Sequence, residues 1–348
     1  MSLIFYYIYI MFVQIIVYLL KKQQKYMVIQ SNNNYVNTTK LQKGHKFMLE
    51  RYASKQQIYK TNPFSDIIEL NTDNKTTYVG GNITIGRFIN YLYPMGLSIK
   101  GVPELKGLVV EELIKKGFFQ DSIIDMTLVK KNGEIKKSKK VSNDESIADV
   151  QFKLVSIKKC MALDFIVVKE KNKVVDVLQE KVKENVDFLE AIVYDDNQTI
   201  VIIGTMVDEL VYPIIDPFAW FDKYYYEQVK DFVSKGIYRC TMNIDDYYFR
   251  HDRGYFWLHN KVVGNETWKR CMNPFICDGS DMPKQLKDYE QIITMEYHFN
   301  YNRAQDALRK LDSIYPIWIK AEKKTLTLGI YGYHINNWKT IKDSITKL

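Results

Sequence analysis

The stretch DIIELNTDNKTTYVGGNITIGRFINYLYPMG, residues 66–96, decides the fold class of this 348-residue chain. Residues 66–70 and 76–79 show the extended apolar patterns that predict two β-strands, and the polar segment 71–74 predicts the turn between them. Thr84 is a suitable N-cap for a helix with one apolar face, and the proline and glycine that follow would end that helix. The order strand, strand, helix predicts mixed α+β structure.

Similar patterns continue along the chain and favour antiparallel strands joined by short turns. An Asn-Gly pair at residues 132 and 133, the strongest short hairpin signal, ends a predicted strand at residues 123–129. Further strands are predicted at residues 165–168, 191–194, 199–205 and 325–330, and a long helical region at residues 283–311. The length predicts two domains, with a boundary near residue 170.

The N-terminus carries an apolar run at residues 3–20, which would span roughly 27 Å as a helix. A cleaved signal peptide is disfavoured because no basic segment precedes the run, whereas Lys21 and Lys22 follow it. We therefore predict a single transmembrane anchor at residues 1–22 and a spacer at residues 23–46. Because basic flanks tend to stay in the cytosol, the body of the protein is expected on the cytosolic side of its membrane.

The chain has a formal net charge of +8, and its lysines concentrate in runs such as Lys136-Lys137 and Lys139-Lys140. Such runs suit an anionic membrane leaflet as well as a nucleic acid, although a solvated protein surface has the same composition. We expect a membrane partner and no nucleic acid. The four cysteines form no C-x-x-C pair and the five histidines are scattered, so reduced thiols and no metal site are expected.

The densest group of reactive side chains is YYFRHDRGYFW, residues 247–257. Here Arg250, His251, Asp252 and Arg253 lie between aromatic residues, an arrangement that can place proton donors against an apolar ligand. The same pattern is typical of a salt-bridged surface strand. No nucleophile elbow and no phosphate-binding loop is present, so the sequence gives no support to hydrolase or kinase functions.

Five segments occur in the same order and at similar spacing in the delta-24-sterol reductase family (Diminuto, seladin), which are FAD-linked oxidases of the vanillyl-alcohol oxidase type. The chain resembles this family at residues 48–105, 185–209, 220–232, 247–257 and 315–319. The resemblance implies a FAD-linked-oxidase-type flavin domain at residues 47–170 and an α+β substrate domain at residues 171–348, after the anchor. It also implies an endoplasmic reticulum-like membrane.

For the chemistry, the resemblance implies reduction of a double bond in a sterol side chain. An acid protonates one carbon, reduced flavin delivers hydride to the other, and NADPH re-reduces the flavin. Tyr248 or His251 would be the proton donor, with Arg250 orienting the region. The flavin would contact residues of the first domain, namely Gly86, Pro103, Glu104, Leu105, Gly117 and Phe118.

The sequence departs from the family pattern where the flavin should bind. Glu111 and Glu112 stand where relatives carry glycines, and the cradle is about ten residues shorter, so fewer backbone N–H groups can approach a pyrophosphate. Two functions therefore stay open, beside a third, a basic membrane-surface protein of no enzymatic lineage, which explains the lysines but not the order of the segments. One is a membrane-anchored FAD-linked oxidoreductase, and the other is a catalytically inactive descendant that binds a sterol-like lipid or a protein partner without flavin.

Overall fold

A computed structural model describes residues 64–184, 186–218, 223–258, 292–311, 314–333 and 338–347. The chain divides into two compact units, Met1–Ile157 and Lys158–Leu348. The boundary predicted near residue 170 lies about a dozen residues later, but Cys160–Val168 pairs along its length with Gln198–Val207 of the second unit. The predicted anchor and spacer lie outside the described residues. No helix within the described ranges is long and apolar enough to cross a membrane.

The first unit has mixed α and β structure. Its elements are β1 (Ile67–Asn71), β2 (Thr76–Gly80), α1 (Ile85–Leu92), β3 (Leu97–Ser98), α2 (Val110–Lys115), β4 (Ile123–Lys130), β5 (Ile135–Lys137), β6 (Glu145–Lys153) and β7 (Val155–Ser156). Five of the strands form an antiparallel sheet in the order β1-β2-β6-β4-β5, and β3 pairs with β7. The ring of Phe88 on α1 lies 5.5 Å from that of Phe152 on β6, which joins helix and sheet.

Both hairpins predicted in this unit are confirmed. In the first, Asn71 pairs with Thr76 across the predicted turn. In the second, the N–H of Gly133 donates to the carbonyl of Lys130 at 2.9 Å, as a tight turn requires. The predicted cap is also confirmed, because Thr84 Oγ1 accepts a hydrogen bond from the N–H of Arg87 at the start of α1.

The second unit is built on a seven-stranded antiparallel sheet. Its elements are β8 (Cys160–Val168), α3 (Val174–Lys181), β9 (Phe188–Asp195), β10 (Gln198–Val207), α4 (Tyr225–Ser234), β11 (Arg239–Asn243), α5 (Ile244–Tyr248), β12 (Ile292–Asn300), α6 (Tyr301–Lys310), β13 (Ile317–Ala321), β14 (Thr325–Tyr333) and α7 (Trp338–Thr346). The strand order is β11-β8-β10-β9-β13-β14-β12. The strands predicted within β8, β9, β10 and β14 are confirmed.

The helical region predicted at residues 283–311 is wrong for residues 292–300 and confirmed for residues 301–310. Ile292–Asn300 forms strand β12, which pairs with β14 along its whole length, and α6 begins only at Tyr301. Asn300 ends the strand and caps the helix, since its Oδ1 accepts from the N–H of Arg303 at 2.9 Å. Residues 283–291 lie outside the described part of the chain.

The two faces of the large sheet have different partners. Side chains alternate between faces along a strand, so Leu189, Ala191 and Val193 of β9 point one way and join the apolar core under α3 and α6. Glu190, between them, points the other way and is 1% exposed. A buried carboxylate on this second face requires donors from elsewhere in the chain.

Candidate functional site

Arg250, in the predicted catalytic segment, is the main partner of Glu190. Its Nε donates to Glu190 Oε1 at 2.8 Å, and its Nη2 donates to Oε2, which makes a bidentate ion pair. The remaining nitrogen, Nη1, donates to the carbonyl of Tyr247 at 2.8 Å, and the guanidinium lies 4.1 Å from the centre of the Tyr247 ring. Both charged side chains are buried, so the structure commits Arg250 to a partner inside the protein.

Three aromatic or imidazole groups complete the surroundings of Glu190. Trp318 Nε1 donates to Oε2 at 2.8 Å, and the Tyr225 hydroxyl donates to Oε1 at 3.2 Å. His251 Nε2 lies 3.5 Å from Oε2. A carboxylate offers about four acceptor positions. These contacts together with Arg250 therefore occupy the Glu190 carboxylate fully.

His251 is held between aromatic rings. It stacks on Phe256 at 4.3 Å between ring centroids, and Phe256 stacks in turn on Tyr331 at 3.9 Å. Tyr225 and Trp318 present their rings to His251 nearly edge-on, at 5.2 and 6.0 Å. The imidazole is 2% exposed. It is therefore fixed in orientation beside an ionised carboxylate, in a setting that can hold a proton but is closed to solvent.

Two of the three predicted catalytic residues share a partner. Arg250 and His251 meet at Glu190, whereas Tyr248 packs its ring against Phe188 at 6.0 Å. Phe188 also contacts Tyr247 at 5.2 Å, so the two neighbouring tyrosines flank one aromatic side chain of β9. Tyr248 is 3% exposed. Its described surroundings are those of a core side chain.

The charges around Glu190 determine its ionisation and that of Tyr225. Burial opposes ionisation of Glu190, but the positive charge of Arg250 and the contact with His251 outweigh it, and they hold the Glu190 pKa well below its usual range. Burial raises the pKa of the Tyr225 hydroxyl well above its usual range, and the negative charge of Glu190 adds to the rise. Glu190 is therefore ionised and Tyr225 neutral across physiological pH.

The backbone after α5 turns sharply to bring this segment onto the sheet. Tyr255 and Phe256 adopt positive φ angles of 43° and 59°, which non-glycine residues rarely do. A Cβ at Gly254 would lie 2.6 Å from the carbonyl oxygen of Phe256, so this position requires glycine. The turn is closed by the N–H of Phe256, which donates to the carbonyl of His251 at 2.8 Å. This turn places the Phe256 ring against the imidazole.

Sequence reasoning missed Glu190, although the whole group depends on it. The only local signal is an acidic residue in the interior of the strand FLEAIVYD, where the neighbours Leu189 and Ala191 are apolar. Arg250 lies 60 residues away in the chain, so the pairing depends on the sheet and not on spacing.

Gly86, the first predicted flavin contact, lies in the first turn of α1 and serves internal packing. Its N–H donates to the carbonyl of Lys106 at 2.8 Å, and the N–H of Ile85 donates to that of Leu108 at 2.8 Å. A Cβ at Gly86 would lie 2.8 Å from the Cβ of Lys106. The close approach that requires glycine here is therefore made by this chain's own segment 106–108, and the amides that could bind phosphate are paired with it.

The neighbouring amides are paired in the same way. Gly81 N–H donates to the carbonyl of Ala148 at 3.1 Å, and Asn82 N–H donates to that of Phe64 at 2.7 Å. Glu111 N–H donates to the carbonyl of Gly81 at 2.8 Å. A Cβ at Gly81 would lie 2.1 Å from the carbonyl oxygen of Ile147.

The other predicted flavin contacts have structural roles of their own. Gly117, with φ of 90°, follows the end of α2, and the N–H of Phe118 donates to the carbonyl of Leu113 at 3.0 Å, which caps that helix. Pro103 and Leu105 are buried and Glu104 is half-buried in the segment that leads to residues 106–108.

Glu111 and Glu112 add negative charge to the first turn of α2. Glu111 forms a salt bridge with Lys115 at 2.8 Å, one helical turn away. The charge of Lys115 is thus balanced by a carboxylate of its own helix. Within the described residues, the predicted cradle does not fit the diphosphate of FAD. No group of three or more potential metal ligands occurs in that part of the chain either.

The sequence is similar to those of known delta(24)-sterol reductases. The delta(24)-sterol reductase homolog dhcr-24 of Caenorhabditis elegans is 24% identical over 318 residues, which cover 74% of this chain and 59% of the relative. The delta(24)-sterol reductases of Arabidopsis thaliana and Pisum sativum are 22% and 21% identical, each over 75% of this chain and 55% of the relative. The chain is a distant relative of the delta(24)-sterol reductases. The resemblance stated from the five segments is confirmed.

This chain thus spans little more than half the length of the delta(24)-sterol reductases it matches. Two solved structures of alkyldihydroxyacetonephosphate synthase, in crystal forms P212121 and P1, align with TM-scores of 0.49 and 0.44. They are 11% and 10% identical over 82% of this chain and cover 60% and 64% of the synthase chains. No family model matches the sequence.

Proposed function

We propose that this protein is a sterol-reductase-like family member that binds a sterol-like lipid at a membrane and does not hold FAD in the predicted cradle. This is the second of the two functions that the sequence left open. It is favoured by one observation, the pairing of the backbone amides around Gly81 and Gly86 with carbonyls of the same unit.

A diphosphate bound near Gly81 and Gly86 would replace hydrogen bonds that the fold already makes. A bound pyrophosphate needs several N–H groups directed at it, because its charge loses hydration on binding. Donation from Gly86 to such a ligand would break its 2.8 Å bond to Lys106 and leave a carbonyl without its donor. Repeated at Gly81 and Glu111, this exchange would cost several hydrogen bonds in the fold of the first unit.

The lipid ligand and the membrane rest on other grounds. The relatives are named for a sterol substrate, and the match to them extends through both units. The apolar run at residues 3–20 supports a membrane address, with the body on the cytosolic side. A sterol is dissolved in the bilayer, so an anchored protein meets it at high local concentration.

The second candidate function is the FAD-linked reductase itself, with NADPH as the reductant. The names of the relatives favour it, since the alignment covers about three quarters of the chain. In that function bound FAD would supply the hydride. His251 would hold the proton, and Arg250 would act as a positioning residue through Glu190.

A cofactor measurement separates the two functions. The full chain is purified in detergent, incubated with excess FAD, passed through gel filtration and scanned for visible absorbance. We expect a colourless, folded protein with far less than one flavin per chain. A yellow protein with one flavin per chain would overturn the proposal and favour the reductase.

The lipid is tested separately with a fluorescent sterol. Saturable binding by the folded chain, absent after heat denaturation, is the expected result. A colourless chain that binds no sterol would retain the flavin conclusion and refute the lipid conclusion.

A further inference from the structure

Residues 130–140 comprise the end of β4, the turn after it, β5 and the short segment that follows, and we name this basic region the lysine hairpin. The segment 130–145 contains six lysines against three acidic residues, a formal excess of three positive charges. The whole chain has a net charge of +8. The segment 130–145 therefore supplies more than a third of the net charge, although it is less than a twentieth of the 348 residues. A local excess of positive charge of this kind attracts anions.

Only part of this charge is neutralised within the protein. Lys130 pairs with Glu134 at 2.9 Å, and Lys136 pairs with the buried Glu145 at 2.5 Å. Lys139 and Lys140 are exposed, and neither forms a salt bridge with any residue that the structure describes. Their backbone is fixed by Ser138, whose hydroxyl donates to the carbonyl of Lys140 and accepts from its N–H. Two cations are thus presented to solvent from an ordered turn.

The lysine hairpin also carries an apolar side chain between its basic pairs. Ile135 is 42% exposed, although it is paired in register with the buried Val129 of β4. β5 is the terminal strand of the five-stranded sheet, so its outer edge faces away from the other strands. Lysines on such an edge also deter pairing with other chains. That role does not require an exposed isoleucine.

We propose that the lysine hairpin docks onto an anionic phospholipid surface. Lysines near such a surface bind it through long-range attraction, and an exposed apolar residue among them can enter the headgroup layer. A nucleic acid fits less well, because the segment 130–145 has no arginine to grip phosphates bidentately and no aromatic ring to stack on bases. The partner is a diffuse anionic lipid surface, in agreement with the cytosolic side predicted for the body of the protein.

The docking is measured by protease protection on the full chain, so that every variant carries the same other membrane-binding segments. The chain is mixed with vesicles of phosphatidylcholine alone or with roughly one third phosphatidylserine, and trypsin cleavage after Lys131 is followed in time. We expect slower cleavage on the anionic vesicles only, with the difference lost at high salt because the attraction is screened.

A pair of variants tests the residues. Each lysine near the surface contributes roughly fivefold to partitioning, so K139A/K140A is expected to weaken docking about 25-fold and to restore cleavage after Lys131. The control K323A/K324A removes an exposed lysine pair from the second unit and should keep the protection. Thermal midpoints confirm that both variants are folded.

The proposal is overturned if cleavage is equal on the two kinds of vesicle, or if K139A/K140A keeps full protection. It is also overturned if a short DNA duplex protects Lys131 while anionic vesicles do not. None of these outcomes depends on flavin or sterol binding, so failure here and failure of the proposed function can be distinguished.

Discussion

Replacing Glu190 by glutamine is the sharpest perturbation of the buried group, because E190Q keeps the shape of the side chain and removes its charge. The Arg250 guanidinium would then be buried without a counter-ion. The new amide NH₂ would also face donors, since Arg250, Trp318 and Tyr225 all direct N–H or O–H groups at the two oxygens. The variant therefore loses an ion pair and gains opposed donors.

The magnitude follows from the burial of both partners. Breaking a buried ion pair by removing one member costs about 3 to 5 kcal/mol. In a unit of this size, each kcal/mol lowers the thermal midpoint by roughly 2 to 4 °C, so a drop of roughly 6 to 20 °C is expected. The matched control is D164N, which breaks the pair between Asp164 and Arg239 on the same sheet. Both of those side chains are well exposed, so the control should cost about 1 kcal/mol or less.

The pH dependence gives a second readout. The Glu190 pKa is lower in the folded protein than in the unfolded chain, so its stabilisation is fully present above the ordinary carboxyl pKa of about 4.3 and is lost as pH falls below it. The stability gap between wild type and E190Q should thus narrow as pH falls below about 4.3.

Urea unfolding followed by near-ultraviolet circular dichroism, at several pH values, measures this gap. A cost of E190Q no larger than that of D164N would refute the reasoning, as would a gap that widens in acid.

Two further predictions concern the packing at Gly329 and the charge of Glu145. A Cβ at Gly329 would lie 2.8 Å from the Trp318 ring, whereas nothing lies within 4 Å of one at Gly332 in the same strand. G329A should therefore cost about 1 to 3 kcal/mol in urea unfolding and G332A about 0.5 or less; equal costs would contradict this packing. Lys136 and a backbone N–H lower the pKa of Glu145 to about 2, so E145Q should be less stable than wild type at neutral pH. This difference should shrink as pH falls from about 4.3 toward 2, and a pH-independent difference in thermal midpoint would contradict the pairing.

Local chemistry explains what the sequence could predict. The turn at residues 71–74 and the Thr84 cap depend on neighbours within four positions, so both were correct. The helix predicted over Ile292–Asn300 failed because that segment is held as a strand by hydrogen bonds to Thr325–Tyr333, and such pairing overrides local preference.

The sequence could not decide whether the predicted flavin contacts face a ligand, and the physical reason is a different one. A glycine is required wherever two backbones approach closely, whether the second backbone belongs to a ligand-binding loop or to the same domain. Gly86 is needed because the backbone at Lys106 approaches it closely, and Gly117 is needed because it follows the end of a helix with a positive φ angle. The sequence shows the glycine but not the atom that faces it.

The same distinction applies to the motif that suggested catalysis. Removal of either Glu190 or Arg250 leaves a buried charge without its partner, so the pair can be lost only at a large cost in stability. His251 is held by the same carboxylate and by the Phe256 ring. Folding alone therefore accounts for the presence of these residues, with or without an activity. A loop that binds a cofactor carries no such penalty, because its loss removes a ligand and not the core. The resemblance in the second unit is thus evidence for a shared fold, and flavin binding by the first unit is the measurement that separates the two proposed functions.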